Sequence, residues 1–81
     1  MAYLEFDTTE SSITAYCEGL DPSHLYTRYF VWQLCDTSWS VLQEKNNQTG
    51  PGATYCSIVF NNLDSDTTYY ILCGIYDDPE Y

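Results

Sequence analysis

The chain of 81 residues carries twelve acidic residues against two basic ones, a formal charge of −10, and 44% hydrophobic residues. This length fits one domain, and the apolar content is sufficient for a folded core, which argues against disorder. The acidity disfavours nucleic acid and anionic membrane surfaces as partners, because a negative field repels phosphate groups.

Short runs of alternating residues, separated by turn residues, predict strands along the whole chain, and no segment has the periodicity of a helix. The polar run 44–52, which ends in Gly50-Pro51-Gly52, predicts a loop. About six strands with turns between them predict an all-β antiparallel sandwich. In chain order the predicted strands are Tyr3–Asp7, Ser12–Glu18, Tyr26–Cys35, Trp39–Gln43, Ala53–Asn61 and Thr68–Tyr76.

The stretch 61–76 combines a sharp turn with the most regular alternation in the chain. Leu63, Thr67 and Tyr69 share one parity, with Ser65 between them. This pattern resembles the corner that enters strand F of fibronectin type III domains, where a leucine, a threonine and a tyrosine recur at every second residue and proline is usual at the position of Ser65. The resemblance implies family strands A, B, C, C′, E and F, with strand G short or absent. It also implies that the Tyr69 hydroxyl bonds nearby backbone and fixes the corner.

The four cysteines are the strongest candidates for chemistry. Spacing along the strands predicts Cys17, Cys56 and Cys73 near one level of the core and Cys35 at the other. The fibronectin pattern usually has a tryptophan at the position of Cys17, whereas Trp32 is closer to the immunoglobulin pattern, in which a Cys17–Cys73 bridge would join the sheets. Against that bridge, Cys35 and Cys56 leave no matching second pair, so we favour four free thiols.

No residue pattern predicts catalysis, a cofactor or a metal site. The single histidine, His24, has no CxxC motif beside it, and the acidic turns at 64–66 and 77–80 lack the spacing of a calcium loop. We interpret these turns as solvated. The triplet 47–49, Asn-Gln-Thr, has the form of a glycosylation acceptor. A non-catalytic domain is therefore expected.

Two functional hypotheses remain for residues 1–81, which we interpret as a single fibronectin type III-like domain of a larger modular protein. One is a structural spacer beside neighbouring domains of a surface, secreted or phage protein. The other is a recognition module that binds carbohydrate or protein through Trp39, Tyr55 and Tyr70 and through loops near Asp21 and Asn47. A contiguous exposed aromatic patch would favour recognition, whereas scattered tyrosines would favour a spacer.

Two further expectations concern the ends of the chain. The start MAYLEFD lacks the basic and apolar segments of a signal peptide, and no run of about 18 apolar residues predicts a membrane span. We nevertheless lean towards an extracellular, cell-surface or virion setting as part of a longer protein. Since only five residues follow Tyr76, the last predicted strand is expected to keep an open edge that pairs with another strand.

Overall fold

The computed structural model describes residues 2–77, which form six β-strands in two antiparallel sheets. No helix occurs within these residues. The prediction of an all-β sandwich with about six strands is confirmed. The strands are β1 (Tyr3–Thr8), β2 (Ile13–Glu18), β3 (Arg28–Cys35), β4 (Val41–Thr49), β5 (Tyr55–Phe60) and β6 (Tyr70–Asp77).

Each sheet has three strands, in the orders β1-β2-β5 and β4-β3-β6. Strands β4 and β5 lie side by side across the sandwich, and β1 and β6 lie on the opposite side, where they flank a shared pocket. Tyr3 is in register with Glu18, and Asp77 is in register with Arg28. Arg28 in turn contacts the backbone of Ala53, just before β5. The start of β1 and the end of β6 therefore lie at the same end of the sandwich, which we call a pole.

The core is built from the inward-facing residues of both sheets. Trp32, at the middle of β3, is fully buried and lies between two other buried residues of that strand. Small and sulfur-containing side chains on β2 and β5 leave room for its indole ring, since a thin core accepts large residues only opposite small ones. The core cluster comprises Ala15, Cys17, Leu20, Phe30, Trp32, Leu34, Cys56 and Phe60.

The prediction of a loop over 44–52 is wrong for its first six residues, because β4 continues to Thr49. The polar residues at inward positions of β4 suggested a loop, since strands of a sandwich usually place apolar side chains there. In the structure these side chains donate hydrogen bonds to backbone carbonyl groups of β5 and of the residue after it. The bonds are Gln43 Nε2 to Asn61 O (2.8 Å), Lys45 Nζ to Val59 O (2.5 Å) and Asn47 Nδ2 to Ser57 O (2.7 Å).

Other strand boundaries differ from the predictions at their ends. Strand β3 starts at Arg28 rather than Tyr26, and β6 starts at Tyr70 because Tyr69 belongs to the corner. Trp39, predicted to open the fourth strand, lies in the turn before β4 with φ 65°. The predicted absence of strand G concerns residues 78–81, which lie outside the described residues.

Candidate functional site

The outer surface of the β4-β3-β6 sheet carries most of its aromatic residues on β3 and β6. The register places Tyr29 beside Tyr76, Val31 beside Gly74, and Gln33 beside Leu72. Side chains in register share a face of the sheet, so these residues lie on one surface. Trp39, from the turn between β3 and β4, reaches the same surface through its contact with Tyr70. We call this surface the aromatic face; it comprises Tyr29, Val31, Trp39, Tyr70, Leu72 and Tyr76.

Trp39 and Tyr70 form the first aromatic pair, with ring centroids 4.4 Å apart and planes inclined by 28°. Trp39 is 55% exposed and adopts φ 65°. A left-handed backbone costs a residue with a side chain about 1–2 kcal/mol, so tryptophan is an unusual choice there. The turn imposes this conformation: the Trp39 amide donates to Asp36 O, and the Asp36 carboxylate accepts hydrogen bonds from the amides of Ser38 and Ser40.

Tyr29 and Tyr76 form the second pair, with ring centroids 5.8 Å apart. Tyr76 lies six residues after Tyr70 on β6, a distance of about 20 Å along the strand. Between the two pairs lie the exposed Leu72 and a lower stretch where Gly74, which has no side chain, is beside the half-buried Val31. The aromatic face therefore has a stacked pair at each end.

The structure separates the three aromatic residues that the sequence suggested as a binding surface. Trp39 and Tyr70 are in contact, but Tyr55 is on the outer side of the other sheet, in register with Glu18 at the opposite pole. Sequence reasoning missed Tyr29 and Tyr76 as members of the face. The shared parity of Tyr70 and Tyr76 along β6 carried the signal for Tyr76, whereas the position of Tyr29 depends on the register between β3 and β6.

The corner before β6 has the contact that the resemblance implied. The Asp64 backbone amide donates a hydrogen bond of 2.9 Å to the Tyr69 hydroxyl. Leu63 packs against the core, and its amide donates to Ser11 O at 2.9 Å, which ties the corner to the turn between β1 and β2. Tyr69 therefore has a structural role in this geometry, since its hydroxyl satisfies a backbone donor.

All four cysteines are free thiols. Cys17 is in register with Cys56 on β5 and lines one pocket together with Cys73 of β6, so these three lie at one level as the spacing predicted. Burial raises the pKa of Cys17 and of Cys56, and burial together with the other two thiols raises that of Cys73 to about 12. Thiols with such pKa values are poor nucleophiles at neutral pH. Cys35 is buried outside the core cluster, in register with Tyr70.

Asn47 lies on β4 rather than in a loop, and both polar atoms of its side chain form hydrogen bonds. Its Oδ1 accepts hydrogen bonds from Trp32 Nε1 (2.9 Å) and from Cys56 Sγ (3.2 Å), while its Nδ2 donates to Ser57 O. The expectation that Asn47 lies in a loop is therefore wrong, and its amide group serves the contact between β4 and β5. Sequence reasoning had no signal for this role, because the triplet 47–49 suggested an exposed acceptor.

Asp21 also acts within its own loop. Its carboxylate accepts hydrogen bonds from the amide (2.9 Å) and hydroxyl (2.7 Å) of Ser23, which lower the pKa of Asp21. Both basic residues of the chain have structural contacts. Arg28 is buried and donates to the carbonyl groups of Ala53 and Asp21, and Lys45 lies 5.7 Å from the centre of the Phe60 ring.

A cavity of about 350 Å³ lies at the pole opposite Tyr55, between the turn after β1 and the corner before β6. Its walls carry hydroxyl groups and three carboxylates, from Glu10, Asp64 and Asp66. Within residues 2–77 no group of three or more histidine, cysteine, aspartate or glutamate side chains is arranged to hold a metal ion. The lining also includes the apolar Ile13 and Leu63, so the cavity is a mixed polar and apolar cleft beside the corner.

Comparison with protein-family models, with curated proteins and with solved structures finds no match for this chain. The part of the chain that the structure describes contains no helix long and apolar enough to cross a membrane.

Proposed function

We propose that this domain is a non-catalytic recognition module that binds a protein partner through the aromatic face. The observation that carries the proposal is the clustering of two stacked aromatic pairs on one side of one sheet. One member of these pairs, Trp39, is held exposed by a strained turn. Backbone strain that supports an exposed aromatic residue is more often associated with a functional surface than with a packing requirement.

We further propose that the module is a divergent member of the fibronectin type III or immunoglobulin-like class. Three observations support this proposal. Strands β1, β2 and β5 correspond to A, B and E of such sandwiches, and β3 and β6 correspond to C and F in the facing sheet. The Tyr69 hydroxyl contact is the bond of a tyrosine corner. Trp32 is buried on the third strand, as in immunoglobulin domains.

A protein partner fits the chemistry of the aromatic face better than a carbohydrate does. Tyrosine and tryptophan dominate the energetics of protein interfaces, because a rigid ring contributes a large apolar area while its polar atom remains hydrogen-bonded. Leu72 adds an exposed aliphatic contact between the two pairs. The rings of each pair stack on one another, so part of each ring surface that a sugar would use is already covered.

A structural spacer is the second candidate, and the elongated shape of 40 × 21 × 19 Å favours it. A spacer does not need exposed aromatic side chains gathered on one side of one sheet. The two stacked pairs of the aromatic face therefore favour recognition over a spacer.

Charge insertion into the aromatic face tests the proposal. Tyr70→Lys and Tyr76→Lys each place a cation in one aromatic pair, and Tyr55→Lys places the same charge on an exposed tyrosine of the other sheet. A protein captured by the wild type should be purified and titrated against all four forms. We expect binding at least about tenfold weaker for the two face variants, and unchanged for Tyr55→Lys.

Two outcomes would contradict the proposal. Equal binding by the wild type and both face variants would place the contact elsewhere on the molecule. Binding to a glycan array that is lost with Tyr70→Lys and Tyr76→Lys, without any protein partner that depends on these residues, would show that the face recognises carbohydrate. In every case the far-ultraviolet circular dichroism of the variants must match the wild type, so that unfolding does not imitate a loss of binding.

A further inference from the structure

Strands β1 and β6 border a gap between the two sheets, which we call the open seam. Each is the outermost strand of its sheet on this side. Within residues 2–77, strand β6 pairs with β3 along one edge, and no strand pairs with its other edge. That edge presents a row of backbone amide and carbonyl groups without partners among these residues, which is the template for an additional strand.

Apolar side chains that point into the sandwich are left exposed at the open seam. Phe6 of β1 is in register with the buried Ala15, yet it is 49% exposed. Ile75 of β6 is in register with Phe30, yet it is 42% exposed whereas Phe30 is 1% exposed. Near Ile75 the seam contains a shallow pocket of about 180 Å³, lined by Ala2, Tyr3, Leu4, Cys17, Cys73 and Ile75.

The electrostatic field at this seam is negative. The carboxylates of Glu18 and Glu5 raise the pKa of Tyr3, which lines the pocket. The chain has two basic residues and both are engaged in its own structure, Arg28 with backbone carbonyl groups and Lys45 with β5. Neither cation offsets the acidic residues around the seam, so an incoming segment with positive charge is favoured.

We propose that the open seam accepts an extended segment of a partner protein as an additional strand on β6. Alternate side chains of this segment are apolar and fill the pocket beside Leu4 and Ile75, and the intervening side chains are lysine or arginine and face solvent. Backbone pairing supplies affinity, and the pocket together with the acidic field supplies selectivity. The proposal rests on the edge of β6 and on the pocket, and it does not require binding at the aromatic face, although a strand added to β6 would extend the sheet that carries that face.

A second copy of the chain fits the seam less well than a basic partner segment. The inward Cys73 of its β6 already packs against its own core cluster, so this side chain is not available to fill the pocket of the first copy. Each copy also carries a charge of −10, which opposes association of two copies.

Three synthetic nine-residue peptides provide the probe. One alternates valine with lysine, the second replaces each lysine by glutamate, and the third replaces each valine by serine. We expect the valine–lysine peptide to bind at least about tenfold more tightly than either of the others, because it alone has both the apolar and the cationic pattern. It should also slow amide hydrogen exchange from Tyr70 to Tyr76, which reports the new backbone bonds.

Two variants locate the site. Ile75→Lys places a charge in the pocket, and Val59→Lys makes a matched change at a side chain that is also 42% exposed but lies on β5. We expect Ile75→Lys to weaken binding of the valine–lysine peptide by about tenfold or more, and Val59→Lys to leave it within about twofold of the wild type.

Several results would overturn the proposal. Equal binding of the serine–lysine peptide would show simple charge attraction, and equal effects of the two variants would place the peptide elsewhere. Slow exchange of β6 amides in the dilute, peptide-free monomer would show that the remainder of the chain already covers the edge. Concentration-dependent protection without peptide, with a dimer in sedimentation, would assign the seam to a second copy.

Discussion

The two seams of this sandwich are closed to different degrees by residues of the same chain. At the seam between β4 and β5, which we call the closed seam, alternate side chains of β4 donate hydrogen bonds to alternate backbone carbonyl groups along the edge of β5. At the open seam between β1 and β6, the inward side chains are apolar and exposed instead. A polar side chain can thus close the margin of the core when the edge of a neighbouring strand supplies hydrogen-bond acceptors. An apolar side chain at the margin instead needs another segment of chain to cover it.

Removal of the Asn47 side chain should have the largest effect, since it breaks the closed seam where it meets the core. Asn47→Ala leaves Trp32 Nε1 and Ser57 O without their partners. Each unsatisfied buried group costs about 1–3 kcal/mol, so we expect a loss of about 3 kcal/mol in the free energy of unfolding, measured with denaturant. Gln48→Ala, at the exposed neighbour, is the control and should change stability by less than about 0.5 kcal/mol. Similar losses for both variants would show that the seam is not held by these bonds.

The corner that joins the two seams gives the next largest effect. The chain passes from β5, at the closed seam, to β6, at the open seam, through the corner held by Tyr69. Tyr69→Phe removes only the hydroxyl that accepts the Asp64 amide, so we expect a loss of about 1–2 kcal/mol with the fold unchanged. Tyr70→Phe is the matched control at the next position. An unchanged denaturant midpoint for Tyr69→Phe would mean that the corner bond contributes nothing to stability.

Lys45 tests the middle of the closed seam. Lys45→Met keeps an unbranched side chain over Phe60 but removes the hydrogen bond to Val59 O and the cation above the ring. We expect a loss of about 1 kcal/mol, because the hydrogen bond of Lys45 is exposed whereas those of Asn47 to Trp32 and Ser57 are partly buried. The loss should shrink in concentrated salt if the cation contributes. A loss equal to that of Asn47→Ala would contradict this difference between the two side chains.

The Cys73 thiol at the open seam makes stability depend on alkaline pH. Burial raises the pKa of Cys73 from about 9 to about 12 in the folded state, which favours the neutral thiol there. Its contribution is therefore complete below about pH 9 and is lost as the pH rises towards 12. Because the thiol is only half-buried, we expect a loss of about 1 kcal/mol over that interval, and a smaller loss for Cys73→Ala. Identical pH profiles for the two proteins would refute this coupling.

The alternation of apolar and polar residues was sufficient to predict the number of strands, most of their positions and the level of three cysteines. It failed at β4, where the inward residues Gln43, Lys45 and Asn47 are polar, because periodicity does not reveal that a neighbouring strand edge offers acceptors. The aromatic face was predicted in part. Trp39 and Tyr70 stood out as aromatic residues, but their contact depends on a left-handed turn, and that of Tyr29 with Tyr76 depends on the register of two distant strands.

The position of Asn47 would make folding and glycosylation compete for the same side chain. Its triplet has the form that oligosaccharyltransferases modify, but the folded chain uses both atoms of the amide group and holds them in β4. A sugar could be attached only before β4 pairs with its neighbours, and once attached it would keep β4 and β5 apart. If this chain were made in a eukaryotic secretory pathway, the fraction of glycosylated molecules would depend on the rate of modification relative to the rate of folding.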